Sequence, residues 1–232
     1  MKDIAIRLNQ IQNKFRKDED NLIHSASFVA TTISKATVSK SIYEQKFDLV
    51  LFDEASMAYV PQVVFAASLA ISSFVCLGDY QQLPAISVMK DSVLSYDIFR
   101  YVGIEEAVRK GRNHDWLCLL DVQRRMHPEI AKFVSNTMYY KLLTSSENMY
   151  DNTQFLTELS PFEGSPFAFV DLSNSYSICT KTYDSSYINV LSAFVSVYLA
   201  MRMKEYDVGI ITPYNAQARL IRAMIRGLGL HN

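Results

Sequence analysis

The sequence predicts an α/β protein built on parallel strands. Short apolar runs without polar alternation recur at 27–31, 47–52, 73–77, 117–122, 167–170 and 208–212. Such runs suit strands covered on both faces, as in parallel sheets. Helical periods at 61–70, 128–139, 188–204 and 216–228 separate several of them. Strands alternating with helices define the α/β class.

Composition agrees with a packed globular chain. Of 232 residues, 49% are hydrophobic and 20% charged, enough apolar content for a sizeable core and too much for disorder. The formal net charge is −1, which excludes a globally basic nucleic-acid binder but not a local basic stripe. Cys76, Cys118 and Cys179 form no C-x-x-C pair, so neither a disulfide framework nor a zinc site is expected. Cys76 and Cys118 sit in apolar runs and read as core residues. The charged N-terminal twenty residues lack a signal-peptide pattern. The apolar stretch 63–77 is interrupted by Ser68, Ser72 and Ser73, too short and polar for a membrane span. An intracellular location without membrane contact is the expectation.

The chain opens with Ile4, Leu8, Ile11 and Phe15 at helical spacing, which predicts a packed amphipathic helix over 2–19. The stretch 141–166 has no period and reads as a long surface excursion.

Three segments carry chemistry. The run Leu49-Val50-Leu51-Phe52 delivers Asp53 and Glu54 to a strand tip, where open α/β sheets bind ligands. One such carboxylate suits Mg²⁺, which takes hard oxygen ligands together with phosphate and water. Its neighbour can orient or deprotonate an attacking water. The next apolar run ends in Gly78-Asp79-Tyr80-Gln81-Gln82-Leu83-Pro84. Its glycine permits a tight turn, and a parallel neighbour would place these polar groups beside Asp53 and Glu54. The third segment is Gln123-Arg124-Arg125-Met126-His127-Pro128, with proline suited to the first turn of a helix. A guanidinium keeps its charge and offers a rigid fork to phosphate, so Arg124 and Arg125 are candidate phosphate ligands.

In this order the three segments resemble motif II, motif III and the Q-Y-R-M-H-P block of superfamily 1 helicases of the Upf1-like group. Ser186-Tyr187-Ile188-Asn189 resembles the group's S-x-x-N segment, and 208–217 resembles its V-G-I-I-T-P-Y-x-x-Q strand and helix start. Arg124 stands where the group has tyrosine, and Ser192 where it has glutamate.

The resemblance implies a P-loop NTPase fold with two partial RecA-like domains. They would span 21–114 and 115–232, after an N-terminal helix at 1–20. It implies ATP and Mg²⁺ as cofactors and single-stranded RNA or DNA as partner. Asp53 would hold Mg²⁺, Glu54 would activate water, Gln82 would sense the γ-phosphate and Arg125 would contact it. Gly78, Asp79 and Arg124 would line the nucleotide site. For the strand, the candidates are Thr31, Thr32, Thr212 and Pro213, with Arg219 and Arg222 on one helical face. No G-x-x-x-x-G-K-[ST] occurs, so the phosphate-cradling loop is missing. The chain therefore reads as an internal piece of a longer helicase, inactive when isolated. The alternative is a degenerate remnant that binds nucleic acid or protein without catalysis.

Overall fold

The computed structural model describes residues 2–89, 92 and 96–229, which form two compact units, Met1–Cys118 and Leu119–Asn232. In the first, helix α1 (Lys2–Ser25) precedes two short helices, α2 (Ile33–Val38) and α3 (Lys40–Tyr43). Strand β1 (Phe47–Phe52) follows, then a 3-10 turn at Ala55–Met57, helix α4 (Val60–Ser68) and strand β2 (Ala70–Cys76). Helices α5 (Ile98–Tyr101) and α6 (Ile104–Arg109) complete the unit. The two strands are parallel neighbours, with Val50 opposite Phe74 and Phe52 opposite Cys76. A parallel return needs a crossover connection, and α4 supplies it. Tyr59 and Gln62 cap its start: the Tyr59 N–H donates to Gln62 Oε1 at 3.0 Å. Beneath the strands, Phe52 and Cys76 pack onto Ala55, Phe99, Ile104 and Val108.

The second unit pairs β3 (Val122–Gln123) in parallel with β4 (Thr144–Ser145) across helix α7 (Pro128–Met138). Helix α8 (Met149–Thr153) is followed by an antiparallel hairpin of β5 (Thr180–Lys181) and β6 (Tyr187–Ile188). Helices α9 (Val190–Arg202) and α10 (Asn215–Gly227) pack on each other through Ala193, Val197 and Ile221. Helix α10 is amphipathic: Ala216, Gln217 and Ile221 are buried, while Arg219, Arg222 and Arg226 face out.

Several expectations need correction. Residues 27–31, 167–170 and 208–212 are not strands, and of 117–122 only Val122 lies in one. An apolar run signals burial, whereas a strand also needs a neighbouring ladder, and these segments have none among the described residues. Strands β1 and β2 are not covered on both faces either. Leu49 and Leu51 on the outer face are 50% and 55% exposed. Helix α1 runs on through the charged segment to Ser25, because Lys, Arg and Glu are good helix formers. Its apolar stripe is not packed: Ile4, Leu8, Ile11 and Phe15 are all exposed. The 61–70 helix ends at Ser68, and Ala70 opens β2 instead. The stretch 141–166 is no plain excursion, since β4, α8 and a 3-10 turn at Gln154–Glu158 lie within it. Buried Met149 and Thr153 anchor it. Cys118 is exposed rather than buried; Cys76 is half-buried, and burial pushes its thiol pKa up.

Candidate functional site

In the first unit, the parallel pairing carries both strand tips to one end. The ladder continues past the strands: the Leu77 N–H donates to Phe52 C=O at 2.8 Å, and the Ala55 N–H to Leu77 C=O at 2.8 Å. Asp53 and Glu54 therefore sit beside Leu77, Gly78 and Asp79. Gly78 is where the two turns touch. A Cβ there would stand 3.0 Å from the Phe99 ring and 3.1 Å from Ala55 N. The glycine is required by close approach, not by an unusual dihedral angle.

Both carboxylates point to solvent. Asp53 Oδ1 accepts the Glu54 N–H at 3.0 Å, which holds the turn and leaves Oδ2 outward. Glu54 has φ 51° and ψ 40°, in the left-handed region that a non-glycine residue occupies at a cost of about 1–3 kcal/mol. Below it, the Ser56 hydroxyl is buried without a hydrogen-bond partner. This turn gives up backbone comfort and a hydroxyl bond to put two acids at a strand tip. Across from them, Asp79 Oδ1 accepts the Gln81 N–H at 3.0 Å, and the Gln82 Nε2 donates to Asp79 Oδ2 at 3.0 Å. Gln82 is thus held by Asp79, with its amide oxygen not engaged in that bond.

Among the described residues no three His, Cys, Asp or Glu side chains converge into a metal cage. The donor set fits Mg²⁺ held by one carboxylate plus phosphate and water, and it does not fit zinc.

In the second unit, Arg124 and Arg125 are exposed on the turn between β3 and α7. The start of α7 is capped by His127, whose Nδ1 accepts the Glu129 N–H at 3.2 Å; the ring is buried and sits edge-on to Tyr150. Neither arginine has an ion-pair partner among the described residues.

The strand candidates divide. Thr32 caps α2 by accepting the Lys35 N–H at 3.2 Å, and Thr31 donates to the Thr32 carbonyl. Thr212 and Pro213 lie in the irregular segment before α10, and Thr212 Oγ1 accepts the Tyr214 N–H at 3.5 Å. Arg219 is tied to Asp184 at 2.6 Å, so the expected arginine face is reduced to Arg222 and Arg226. Lys110 is likewise paired with Glu106, next to Arg109 and Arg112.

Sequence reading missed one junction. The Asn189 N–H donates to Gln217 Oε1 at 2.8 Å, and Gln217 Nε2 returns a bond to the Asn189 carbonyl at 3.1 Å. Asn189 Oδ1 caps α9 through the Ser192 N–H at 2.8 Å. The S-x-x-N segment and the helix after Thr212-Pro213-Tyr214 are therefore two halves of one part-buried polar joint. The signal was two polar residues at the edges of apolar helices, but the pairing between them is not periodic.

Comparison with known proteins identifies the family. Two family profiles, each described as an AAA domain, match residues 2–90 and 104–231, the second covering more than half of the chain. The DNA polymerase alpha-associated DNA helicase A of Schizosaccharomyces pombe is 27% identical over 99% of this chain and 36% of its own length. Regulator of nonsense transcripts 1 of Dictyostelium discoideum is 27% identical over 81% of this chain and 14% of its own. The ATP-dependent helicase upf1 of S. pombe is 28% identical over 88% of this chain and 22% of its own. The chain thus spans about a third or less of the length of these relatives. With the motifs in order and profiles along nearly its whole length, the chain belongs to the AAA-domain helicases of superfamily 1, in the Upf1-like group.

Proposed function

We propose that this chain is the part of an ATP-dependent nucleic-acid helicase or translocase that carries the catalytic carboxylates, the γ-phosphate sensor and one arginine ligand. Residues 21–114 and 115–232 belong to its two RecA-like domains, and 1–20 to the helix that precedes them. One observation carries the reading: the β1–β2 pair brings Asp53, Glu54, Gly78, Asp79 and Gln82 to one strand end, with the Ala55 N–H bonded to Leu77. The names of the relatives, all helicases or nonsense-transcript regulators in the cases above, support it.

In this reading Asp53 holds Mg²⁺, which supplies charge neutralisation for a bound ATP. Glu54 accepts a proton from, or orients, the attacking water. Asp79 holds Gln82 toward the terminal phosphate, and Arg124 and Arg125 bring positive charge to the same phosphates. Catalysis of this kind is positioning plus electrostatics. Single-stranded RNA or DNA is the partner, met by Thr31, Thr32, Thr212, Pro213 and Arg222; Arg219 would first have to leave Asp184 to join them. No described helix is long and apolar enough to cross a membrane.

The test uses the complete protein that carries this sequence. Glu54→Gln should still bind ATP while hydrolysis falls about 100-fold or more, the span typical of general base removal. Turnover equal to wild type would take Glu54 out of the mechanism. Weak ATP affinity alongside firm binding of single-stranded nucleic acid would instead favour the non-catalytic remnant.

A further inference from the structure

The turn that bears Arg124 and Arg125 is held by one side chain. Gln123 is the second residue of β3, half-buried at the root of the turn. Its Oε1 accepts two backbone bonds, from the Arg125 N–H at 2.8 Å and the Met126 N–H at 2.7 Å. Its Nε2 donates to the Met126 carbonyl at 2.9 Å and to Ser145 Oγ at 2.8 Å. A primary amide has two donor hydrogens and an oxygen with two lone pairs, so all four positions are used. The turn is closed over its own root.

Both ends of this ring are fixed. At the root, Gln123 pairs with Ser145 of β4, and the Ser146 N–H donates to the Gln123 carbonyl at 3.0 Å. At the far end, His127 is buried and caps α7. Between these anchors only the side chains of Arg124 and Arg125 are exposed. A turn held at the Arg125 N–H and at both backbone groups of Met126, with two exposed arginines that have no ion-pair partner among the described residues, is built to present them.

The clamp uses both the acceptor and the donor of an amide. A carboxylate would keep the two accepting contacts but could not donate to the Met126 carbonyl. Shorter side chains make the accepting half of this clamp elsewhere in the chain, Asp79 with the Gln81 N–H and Asn189 with the Ser192 N–H; the Gln123 amide adds the donor bonds to the Met126 carbonyl and Ser145.

We infer that Gln123 is a positioning residue: it fixes the backbone of Arg125 so that the guanidinium meets the transferring phosphate in one geometry. The inference rests on the reading of Arg125 as a phosphate ligand. Misplacement of a catalytic group by about 1 Å costs on the order of 100-fold in rate.

The experiment is a double-mutant cycle on kcat for ATP in the complete protein, using Gln123→Ala, Arg125→Ala and both together. Gln123→Ala should lower kcat about 30- to 100-fold, since residues acting as a unit lose most of their effect when either is removed. With Arg125 already alanine, the further loss from Gln123→Ala should be under about 3-fold. Gln123→Glu, which keeps both accepting contacts and so protects folding, should fall between wild type and alanine.

Equal losses with and without Arg125 would mean that Gln123 serves stability alone, and would overturn the inference while leaving the proposed function standing. Unchanged turnover in Arg125→Ala would overturn both. Faster exchange of the Arg125 and Met126 amide protons in Gln123→Ala, beyond what its loss of global stability accounts for, would complete the positive result.

Discussion

Two polar regions of this molecule are built in opposite ways. At the β1–β2 tips, Asp53 and Glu54 are exposed, Glu54 sits in a left-handed conformation, and Ser56 is buried without a partner. At the Asn189–Gln217 joint, Gln217 is buried and its amide is engaged from both sides, with strain-free caps on α9. The first region holds groups ready for something outside the chain. The second uses the Gln217 amide, as acceptor and as donor, to hold two segments together. In the resemblance both count equally as motif residues. Their surroundings separate chemistry from architecture.

The sharpest way to break this contrast is at Glu54. Glycine occupies the left-handed region freely, so Glu54→Gly should stabilise the chain by about 1 kcal/mol. The same change should lower ATP hydrolysis by the complete protein about 100-fold or more. Stability would rise as function is lost, and urea midpoints with initial rates would record both. A Glu54→Gly chain that is less stable would mean that the carboxylate is structural, and the contrast would collapse.

Next in size is Gln217→Ala. It strands the N–H of Asn189, left unsatisfied at a cost of about 1–3 kcal/mol, while the Asn189 carbonyl keeps the Ala193 N–H at 3.0 Å. Urea denaturation should show a loss of about 1–3 kcal/mol by the same rule. A loss below 1 kcal/mol would imply that water enters and replaces the amide.

Gly78→Ala lies between the two regions in kind. It adds a methyl at 3.0 Å from Phe99 and 3.1 Å from Ala55 N, directly after Glu54. Overpacking of this sort costs about 1–3 kcal/mol. Because Ala55 must shift, hydrolysis should also fall, unlike the effect of a Phe99→Leu change that only loosens the core. Wild-type rates in Gly78→Ala would mean that the turn tolerates displacement.

How much of this was legible in the sequence depends on what holds each part. The helices at 128–139, 188–204 and 216–228 were readable to within two residues at each end, because an amphipathic period is local. The pairing of 47–52 with 73–77 was also legible, since two apolar runs ending in polar turns are joined by one crossover helix. Residues 27–31, 167–170 and 208–212 looked the same and are not strands, because pairing depends on a neighbour and composition does not name one. At the candidate site, the placement of Asp53 and Glu54 directly after β1, and of Gln82 in the turn after β2, was legible from the apolar runs that precede them. The grip of Gln123 and the Asn189–Gln217 joint were not. Both rest on amide side chains reaching backbone groups, which leaves no period and no charge pattern.

The smallest predicted effect tests the margin of the second region. The β5–β6 hairpin leans on α10: Ser186 Oγ accepts the Ala216 N–H at 3.2 Å, and Arg219 binds Asp184 at 2.6 Å. The Thr182 hydroxyl, and after it Arg219, hold the Asp184 carboxyl below its usual range. A carboxyl depressed in the folded state stabilises it above the unfolded value of about 3.9, and that contribution fades as pH falls through the folded value. The group is fully exposed, so solvent and salt screen it strongly. Asp184→Asn should therefore flatten the acid side of the stability profile only slightly, below about pH 4. Thr182→Val should move the Asp184 titration upward more than Arg219→Ala does, read by NMR of the carboxyl carbon. The reverse order would assign the hairpin's anchoring to the ion pair, and Arg219 would then be structural rather than available to a nucleic-acid strand.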